Sequence, residues 1–228
     1  MKKNVVAAAL VLASAVFATN SEAAFYTGGS FSKPLQTTEI NQTGSLLLFD
    51  SNLGTLNSIQ FTFNGGGTSL FNATNNAAQS QTFKIDSSVN LFFGSSNAAI
   101  DSVLGALTQP LAILTFTSGT QTLASLATAQ YGSFSNQNST TATITSAASL
   151  AAFQQANGGN FNLSCTSLSG ISVTGGGGNI STSQTTKAGC GATINYFYTP
   201  NVVPEPASFG LMGLGLAGIA AFRRRKAA

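Results

Sequence analysis

Few side chains in this sequence could perform chemistry. Histidine, the commonest general base and metal ligand, is absent, and the two cysteines are Cys165 and Cys190. An even number of cysteines in an oxidising compartment indicates a disulfide, which here would close a loop rich in Gly, Ser and Thr. The alternative is a reactive thiol, but the chain has no imidazole to activate one.

Carboxylates are the remaining catalytic option. Asp50, Asp86 and Asp101 could in principle supply a glycosidase-like acid and base, or ligands for calcium. No spacing supports either use, no Asp-x-Asp-x-Asp-Gly loop occurs, and Asp is common in turns. We therefore predict no catalytic residue, no metal site and no cofactor, and expect that the protein is not an enzyme.

The last 26 residues contain three segments in a fixed order. The first is rigid and consists of Val203, Pro204, Glu205 and Pro206. The second, residues 207–222, is an uncharged apolar run of sixteen residues, slightly shorter than the about 17–25 of a spanning helix. The third is cationic and consists of Arg223, Arg224, Arg225 and Lys226. This pattern predicts a weak transmembrane helix with a cytoplasmic basic anchor, and the alternative is a buried core helix.

The order of these segments resembles the PEP-CTERM sorting signal of bacterial exosortase substrates. The resemblance implies that a membrane-embedded, cysteine-type transpeptidase recognises residues 204–206 and cuts near them. The ectodomain would then be released or transferred to the surface or matrix of a Gram-negative bacterium. Because the resemblance covers the tail alone, it concerns delivery and not the work of the ectodomain.

The N-terminal segment has the features of a secretory signal peptide. Lys2 and Lys3 precede an apolar run, and small residues at 21 and 23 occupy the two positions that signal peptidase inspects. Cleavage is predicted after Ala23, with cleavage after Ala24 and a retained membrane helix as alternatives. The predicted division is a signal peptide at 1–23, an extracellular domain at 24–199 and a sorting segment at 200–228, which holds the precursor briefly in the inner membrane.

Charge is scarce between the two targeting segments. Six of the nine basic residues lie inside those segments, and the extracellular domain keeps three Lys and four acids, a net charge of 3 − 4 = −1. The basic pI therefore implies no nucleic-acid partner. Charged residues make up 7% of the chain, against about 25% in typical proteins. Weak repulsion between copies favours a matrix or surface protein, although lineage-wide composition would explain it equally well.

The middle of the chain reads as strands separated by turn residues. Residues 56–63 alternate clearly, with Ile59, Phe61 and Phe63 on one face. Residues 64–67, Asn-Gly-Gly-Gly, predict a turn or flexible loop, after which residues 69–72 pair back. Residues 82–85 and 89–93 predict a hairpin closed by residues 86–88.

Later segments predict further strands, at 131–134 and 141–145 among others. Residues 149–156 are the one helix candidate, and the glycine run at 175–178 predicts a mobile tip between the cysteines. The predicted fold is mainly β: an antiparallel sandwich, jelly-roll or immunoglobulin-like, with one short helix in addition to the signal and tail helices.

Residues 48–61 have a second resemblance, to the start of choice-of-anchor E type domains. It is carried by Phe49-Asp50, a short gap, Leu53-Gly54-Thr55-Leu56 and an alternating strand, and the closing residues 196–200 fit as well. Such domains occur on exported bacterial proteins with several kinds of anchor, so no enzymatic role is implied.

These features predict a structural or adhesive protein of the cell surface, biofilm or exopolysaccharide matrix. Its expected partners are signal peptidase, an exosortase-type transpeptidase, the membrane during transit and, in one alternative, exopolysaccharide. That alternative is a carbohydrate-binding module. Its stacking residues would be the tyrosines, although buried sandwich tyrosines explain them equally well: Tyr26, Tyr131, Tyr196 and Tyr198.

Overall fold

Ten strands and two short α-helices make up residues 23–201, the part of the chain that this computed structural model describes. The strands are β1 Ala24–Ser32, β2 Gln36–Thr37, β3 Asn41–Asp50, β4 Gly54–Asn75, β5 Gln81–Ser95, β6 Ala112–Leu123, β7 Thr128–Ile144, β8 Gln154–Gln155, β9 Gly159–Gly175 and β10 Ile180–Pro200. The helices are α1 Ala98–Gly105 and α2 Ala147–Ala151. Within this range no helix is long and apolar enough to cross a membrane. The predicted signal and tail helices lie outside the described residues.

The strands form two sheets. The first has the order β1-β10-β4-β7, with β2 paired to β10, and the second has the order β6-β5-β9-β3-β8. Neighbouring strands are antiparallel except β3 and the two-residue β8. Without β2 and β8, the order of the remaining strands is typical of a jelly roll. The prediction of a mainly β, antiparallel fold is confirmed.

The inner faces of both sheets share one hydrophobic core. The alternation predicted for residues 56–63 is present in β4, where Ile59, Phe61 and Phe63 are fully buried. The ring of Phe61 meets that of Phe161 on β9 edge-on, with the ring centroids 6.5 Å apart. The ring of Phe63 lies 4.8 Å from that of Phe93 on β5. Aromatic contacts of this kind join the two sheets.

The turn predicted at residues 64–67 is wrong. β4 continues through residues 64–67, which pair with residues 188–191 of β10 on one side and with residues 136–139 of β7 on the other. A Cβ at Gly65 would overlap the side chain of Leu91 on the opposite sheet, and one at Gly67 would lie 2.9 Å from Leu114 Cδ1. The inward glycines therefore let the two sheets approach closely, and the residues expected to pair back extend the same strand.

Replacing Gly65 with Ala is expected to destabilise the fold by about 1–3 kcal/mol, because the new methyl group overlaps Leu91 in a packed core. Gly66 is the matched control. Its Cβ would face outward and meet Gln137 Cγ at 3.8 Å, an ordinary contact. Gly66→Ala is expected to be neutral or stabilising by up to about 1 kcal/mol. Denaturant unfolding of both variants measures the difference, and equal midpoints would contradict this packing role for Gly65.

The hairpin predicted at residues 86–88 is also wrong. β5 runs without interruption from Gln81 to Ser95, and it is paired with β6 on one edge and β9 on the other. The polar residues that suggest a turn are accommodated in the strand, where Ser87 lies on the buried face and Asp86 forms an ion pair with Lys84. Pairing on both edges overrides the local turn signal. The strands predicted at 131–134 and 141–145 likewise belong to a single strand, β7.

The prediction of one short helix is wrong as well, because two helices are present among the described residues. The sequence reading missed α1, whose N-terminus is capped by Asn97: its Oδ1 accepts hydrogen bonds from Ala99 N at 3.0 Å and Ile100 N at 3.4 Å. The helix predicted at 149–156 begins earlier, at Ala147, and ends at Ala151. Residues 152–156, predicted to continue the helix, are not helical: Phe153 is buried in the core, and Gln154–Gln155 form β8.

The glycine run near residue 176 connects the two sheets. Gly176–Gly178 form a single 3-10 turn between β9 of the second sheet and β10 of the first. All of these glycines have positive φ, a conformation that other residues rarely adopt, so the composition suits this crossing. The mobility of this segment stays a prediction.

Candidate functional site

The predicted disulfide is confirmed, and it joins the two sheets through the core. Cys165 lies on β9 and Cys190 on β10, and both residues are buried. Cys190 stands opposite Gly65 in the strand register, at the level where the glycines of β4 let the sheets approach. No free cysteine remains in the described part of the chain, which removes the alternative of a reactive thiol.

The three aspartates considered for catalysis lie on different elements, each with structural partners. Asp50 Oδ1 accepts hydrogen bonds from the backbone N–H groups of Asn52 and Asn157, both at 2.9 Å. Asp101, in α1, accepts one from Ser95 N at 2.9 Å. Across residues 23–201 no group of three His, Cys, Asp or Glu could hold a metal ion. The expectation that the protein is not an enzyme stays a prediction.

The third aspartate, Asp86, forms an exposed ion pair. Its Oδ2 lies 2.9 Å from Lys84 Nζ, and hydrogen bonds from Lys84 and then Thr117 hold the pKa of Asp86 below its ordinary value. A lowered pKa gives stability that is present at neutral pH and is lost as the pH falls through the folded-state pKa. Because both side chains are well exposed, the effect is small and confined to acid conditions.

The tyrosines proposed as sugar-stacking residues pack against other rings. Tyr196 is fully buried, its hydroxyl donates to Leu47 O at 2.6 Å, and burial raises the pKa of its phenol. Tyr26 stacks on Tyr196 with ring centroids 6.0 Å apart. The other two, Tyr131 and Tyr198, contact Phe83 and Phe49 at 5.9 and 5.0 Å. These tyrosines therefore serve the core.

Both ends of the described chain lie at the same end of the first sheet. Ala24, at the predicted signal-peptidase site, begins β1 and pairs with Tyr198 of β10. β10 ends at Pro200, which pairs with Gly54 at the start of β4. Cleavage after Ala23 or Ala24 stays a prediction. The other predicted site residues lie outside the described residues: Val203, Pro204, Glu205, Pro206, Arg223, Arg224, Arg225 and Lys226.

The end of β10 is held against the turn between β3 and β4. Asn201 N donates to Leu53 O at 3.0 Å, and Asn201 Nδ2 donates to Asn52 O at 2.9 Å. Two residues earlier in β10, Thr199 Oγ1 accepts a hydrogen bond from Asn57 Nδ2 at 2.8 Å. We call the Asn201 contacts the C-terminal latch, because they hold the chain up to the residue before Val202. Sequence reasoning missed the latch, since Asn52 and Asn201 lie 149 residues apart.

Two apolar side chains are exposed at the same end of the first sheet as the latch. Leu53 is 41% exposed in the β3–β4 turn, and Phe25 is 58% exposed on β1. The ring of Phe25 contacts that of Phe197 on β10, with centroids 5.5 Å apart. We call Phe25, Asn52, Leu53 and Asn201 the tail-side rim. It combines exposed apolar groups with uncharged amides.

A trough crosses the outer face of the first sheet at Gly65–Gly67 of β4. Two cavities of about 270 and 430 Å³ share Leu35, Gly66 and Gln137. Gly66 leaves backbone exposed at the floor, and Lys33 and Asn64 line one of the two cavities. A separate cavity of about 580 Å³ lies on the second sheet around Gly170 and the pair formed by Lys84 and Asp86.

Comparison with known proteins gives little information on residues 23–201. No curated protein matches the chain. A structure of the infectious bursal disease virus particle is 13% identical, covers 87% of this chain and has a TM-score of 0.18. This chain spans about half, 47%, of the length of that viral chain. The parasporin-2 toxin of Bacillus thuringiensis is 11% identical over 81% of this chain and 74% of its own, with a TM-score of 0.21. The resemblance to choice-of-anchor E domains stays a prediction.

The tail gives a clear result. Residues 202–226 match the PEP-CTERM protein-sorting motif. The match includes the proline-rich segment, the apolar run and the basic cluster that the sequence predicts, and it begins at the residue after the C-terminal latch. The motif marks this chain as an exported protein whose C-terminal tail is recognised and processed by an exosortase.

Proposed function

We propose that this protein is a non-enzymatic structural or adhesive component of the cell surface or exopolysaccharide matrix of a Gram-negative bacterium. The observation that carries the proposal is the direct succession of a disulfide-bridged sandwich and a PEP-CTERM motif, with Asn201 the last residue of one and Val202 the first of the other. Export and processing deliver the domain outside the cell, and the domain itself supplies the function.

The character of the surface supports a structural role. Seven charged side chains occur in residues 23–201, and Lys84 and Asp86 form the ion pair found among them. Hydroxyl side chains form cross-strand contacts on the outer face of the first sheet, such as Thr62 to Thr141 at 3.4 Å and Thr74 to Thr128 at 3.0 Å. Such a surface is hydrated through neutral hydrogen bonds and exerts little repulsion on a second copy or a neutral polymer.

Fractionation of the producing bacterium tests this role. The protein is expected in the surface or matrix fraction of wild-type cells and in the membrane fraction of cells that lack their exosortase. Deleting the gene is expected to weaken cohesion of the matrix, measured as the shear needed to disperse a biofilm. Dispersal at unchanged shear, with the protein absent, would contradict the structural role and leave the sorting of the protein unaffected.

The trough at Gly66 favours a second candidate, carbohydrate binding. Exposed backbone at its floor, together with Lys33, Asn64 and Gln137, offers hydrogen-bond donors and acceptors suited to a polysaccharide chain. Gly66→Leu is expected to fill the trough from the outer face without entering the core. Binding of the producer's own exopolysaccharide that is lost in this variant would support a carbohydrate-binding module.

A further inference from the structure

We propose that the tail-side rim is a docking surface for the transpeptidase that processes the tail, and that its exposed apolar side chains contact the outer, membrane-facing part of that enzyme. The inference rests on the processing assigned to the PEP-CTERM motif. It adds a recognition element in the folded domain, outside residues 202–226.

The first step is the short distance between the folded domain and the motif. Two residues, Val202 and Val203, separate Asn201 from Pro204. Because an extended residue spans at most about 3.6 Å, the chain from Asn201 to Pro204 can reach no farther than about 11 Å. An enzyme that holds residues 204–206 in its active site must therefore either contact the rim or pull the end of β10 away from the sandwich.

The second step is that the end of β10 is firmly held. Asn201 makes two hydrogen bonds to the β3–β4 turn, and Thr199 receives one from Asn57. The backbone of Thr199 also packs so closely on Gly54 that a Cβ there would overlap Thr199 O. Pulling this end away would break all of these contacts together, which favours docking of the folded rim over local unfolding.

The third step is the chemistry of the rim. Phe25 and Leu53 are exposed at the same end of the sheet as the neutral amides of Asn52 and Asn201. Asp50, near Asn52 in the chain, has its Oδ1 occupied by two backbone N–H groups. A membrane-embedded enzyme presents apolar surface next to the bilayer, and contact with Phe25 and Leu53 would bury apolar area on both partners. An uncharged rim adds no cost from burying an unpaired charge.

The opposite end of the sandwich provides a matched control. Leu126 lies in the turn between β6 and β7 and is 71% exposed, more than either Leu53 or Phe25. Its backbone N–H donates to Ala77 O, just beyond the end of β4. β4 has 22 residues and runs from the rim to that end, a length of about 70 Å. Leu126 is therefore an exposed apolar residue at the end of the sandwich opposite the rim.

The experiment is a pulse-chase of the full chain in the producing bacterium, following conversion of precursor to processed protein. The double variant Phe25→Ser with Leu53→Ser is expected to convert at least about threefold more slowly than wild type, and Leu126→Ser at the wild-type rate. Formation of the Cys165–Cys190 bond, read as mobility on a non-reducing gel, checks that each variant folds. Equal conversion rates for the double variant and wild type would overturn the proposal.

A second pair of chains separates docking from damage to the fold. An insertion of four residues, alternately Gly and Ser, after Asn201 allows the enzyme to reach the motif without touching the rim. With this insertion, wild type and the double variant are expected to convert at the same rate. A double variant that remains slow with the insertion would overturn docking.

Two other outcomes are distinguishable. If the double variant and wild type without the insertion convert at equal rates, and the double variant loses a cross-linked dimer that wild type forms, the rim contacts a second copy of the chain and the docking proposal is overturned. Wild-type precursor that never converts would instead count against processing itself.

Discussion

Asn75→Asp is expected to lower the free energy of unfolding by about 3–5 kcal/mol, the range for an uncompensated buried charge. Asn75 is fully buried at the end of β4, where Nδ2 donates to the carbonyl oxygens of Gln79, Leu123 and Ala124 at 2.8, 3.1 and 3.0 Å. Its Oδ1 accepts a hydrogen bond from Ala77 N at 2.9 Å. Aspartate would place a second carboxylate oxygen against these carbonyl oxygens. The β4–β5 and β6–β7 connections would then lose the amide group that donates hydrogen bonds to both of them.

The pH dependence of the loss identifies its cause. Burial raises the pKa of the introduced carboxyl group in the folded state, so the unfolded state releases its proton first, near pH 4. The destabilisation is therefore expected to grow as the pH rises from about 4 to 7. Asn76→Asp is the control, because Asn76 Nδ2 makes an exposed contact with Ser181 Oγ, and its effect is expected within about 0.5 kcal/mol. Similar losses for the two variants in urea unfolding would contradict a central role for Asn75.

Removing the disulfide is the second large effect. The double variant Cys165→Ala with Cys190→Ala is expected to lose about 3 kcal/mol, because the bond restricts the unfolded chain over a separation of 25 residues. For a domain of this size, that corresponds to a fall in Tm of roughly 6–12 °C. Wild-type protein treated with reductant is the control and is expected to match the double variant in differential scanning calorimetry. An unchanged Tm in both samples would show that packing alone joins the two sheets.

Local periodicity predicted the mainly β fold because it reports which residues face the core. The alternation of Ile59, Phe61 and Phe63 has one consistent interpretation, and these side chains are buried. Gly65–Gly67 and Asp86–Ser88 carry turn signals that are equally clear but depend on context. In the folded chain these segments are paired along both edges, and the glycines admit Leu91 and Leu114 from the opposite sheet. No local pattern contains that information. The missed helix α1, by contrast, had a readable signal in Asn97 followed by Ile100 and Leu104.

In the functional site, too, local sequence patterns could be predicted and long-range contacts could not. The sorting motif could be predicted because its three segments are contiguous, and the enzyme reads them as a sequence. The tail-side rim could not be predicted, because Phe25, Leu53 and Asn201 come from three distant parts of the chain. The register that places β10 between β1 and β4 brings them to one end of the sheet. The disulfide was predicted from the cysteine count, but its position between the sheets was not.

The intact mass of the mature protein from its producing bacterium tests the central claim most directly, because it depends on both ends of the chain. The expected mass corresponds to a chain that begins at Ala24 and ends within or just before residues 204–206, with any attached group seen as a defined addition. A mature protein that still carries Arg223, Arg224, Arg225 and Lys226 would contradict processing, and with it the proposed delivery to the cell surface.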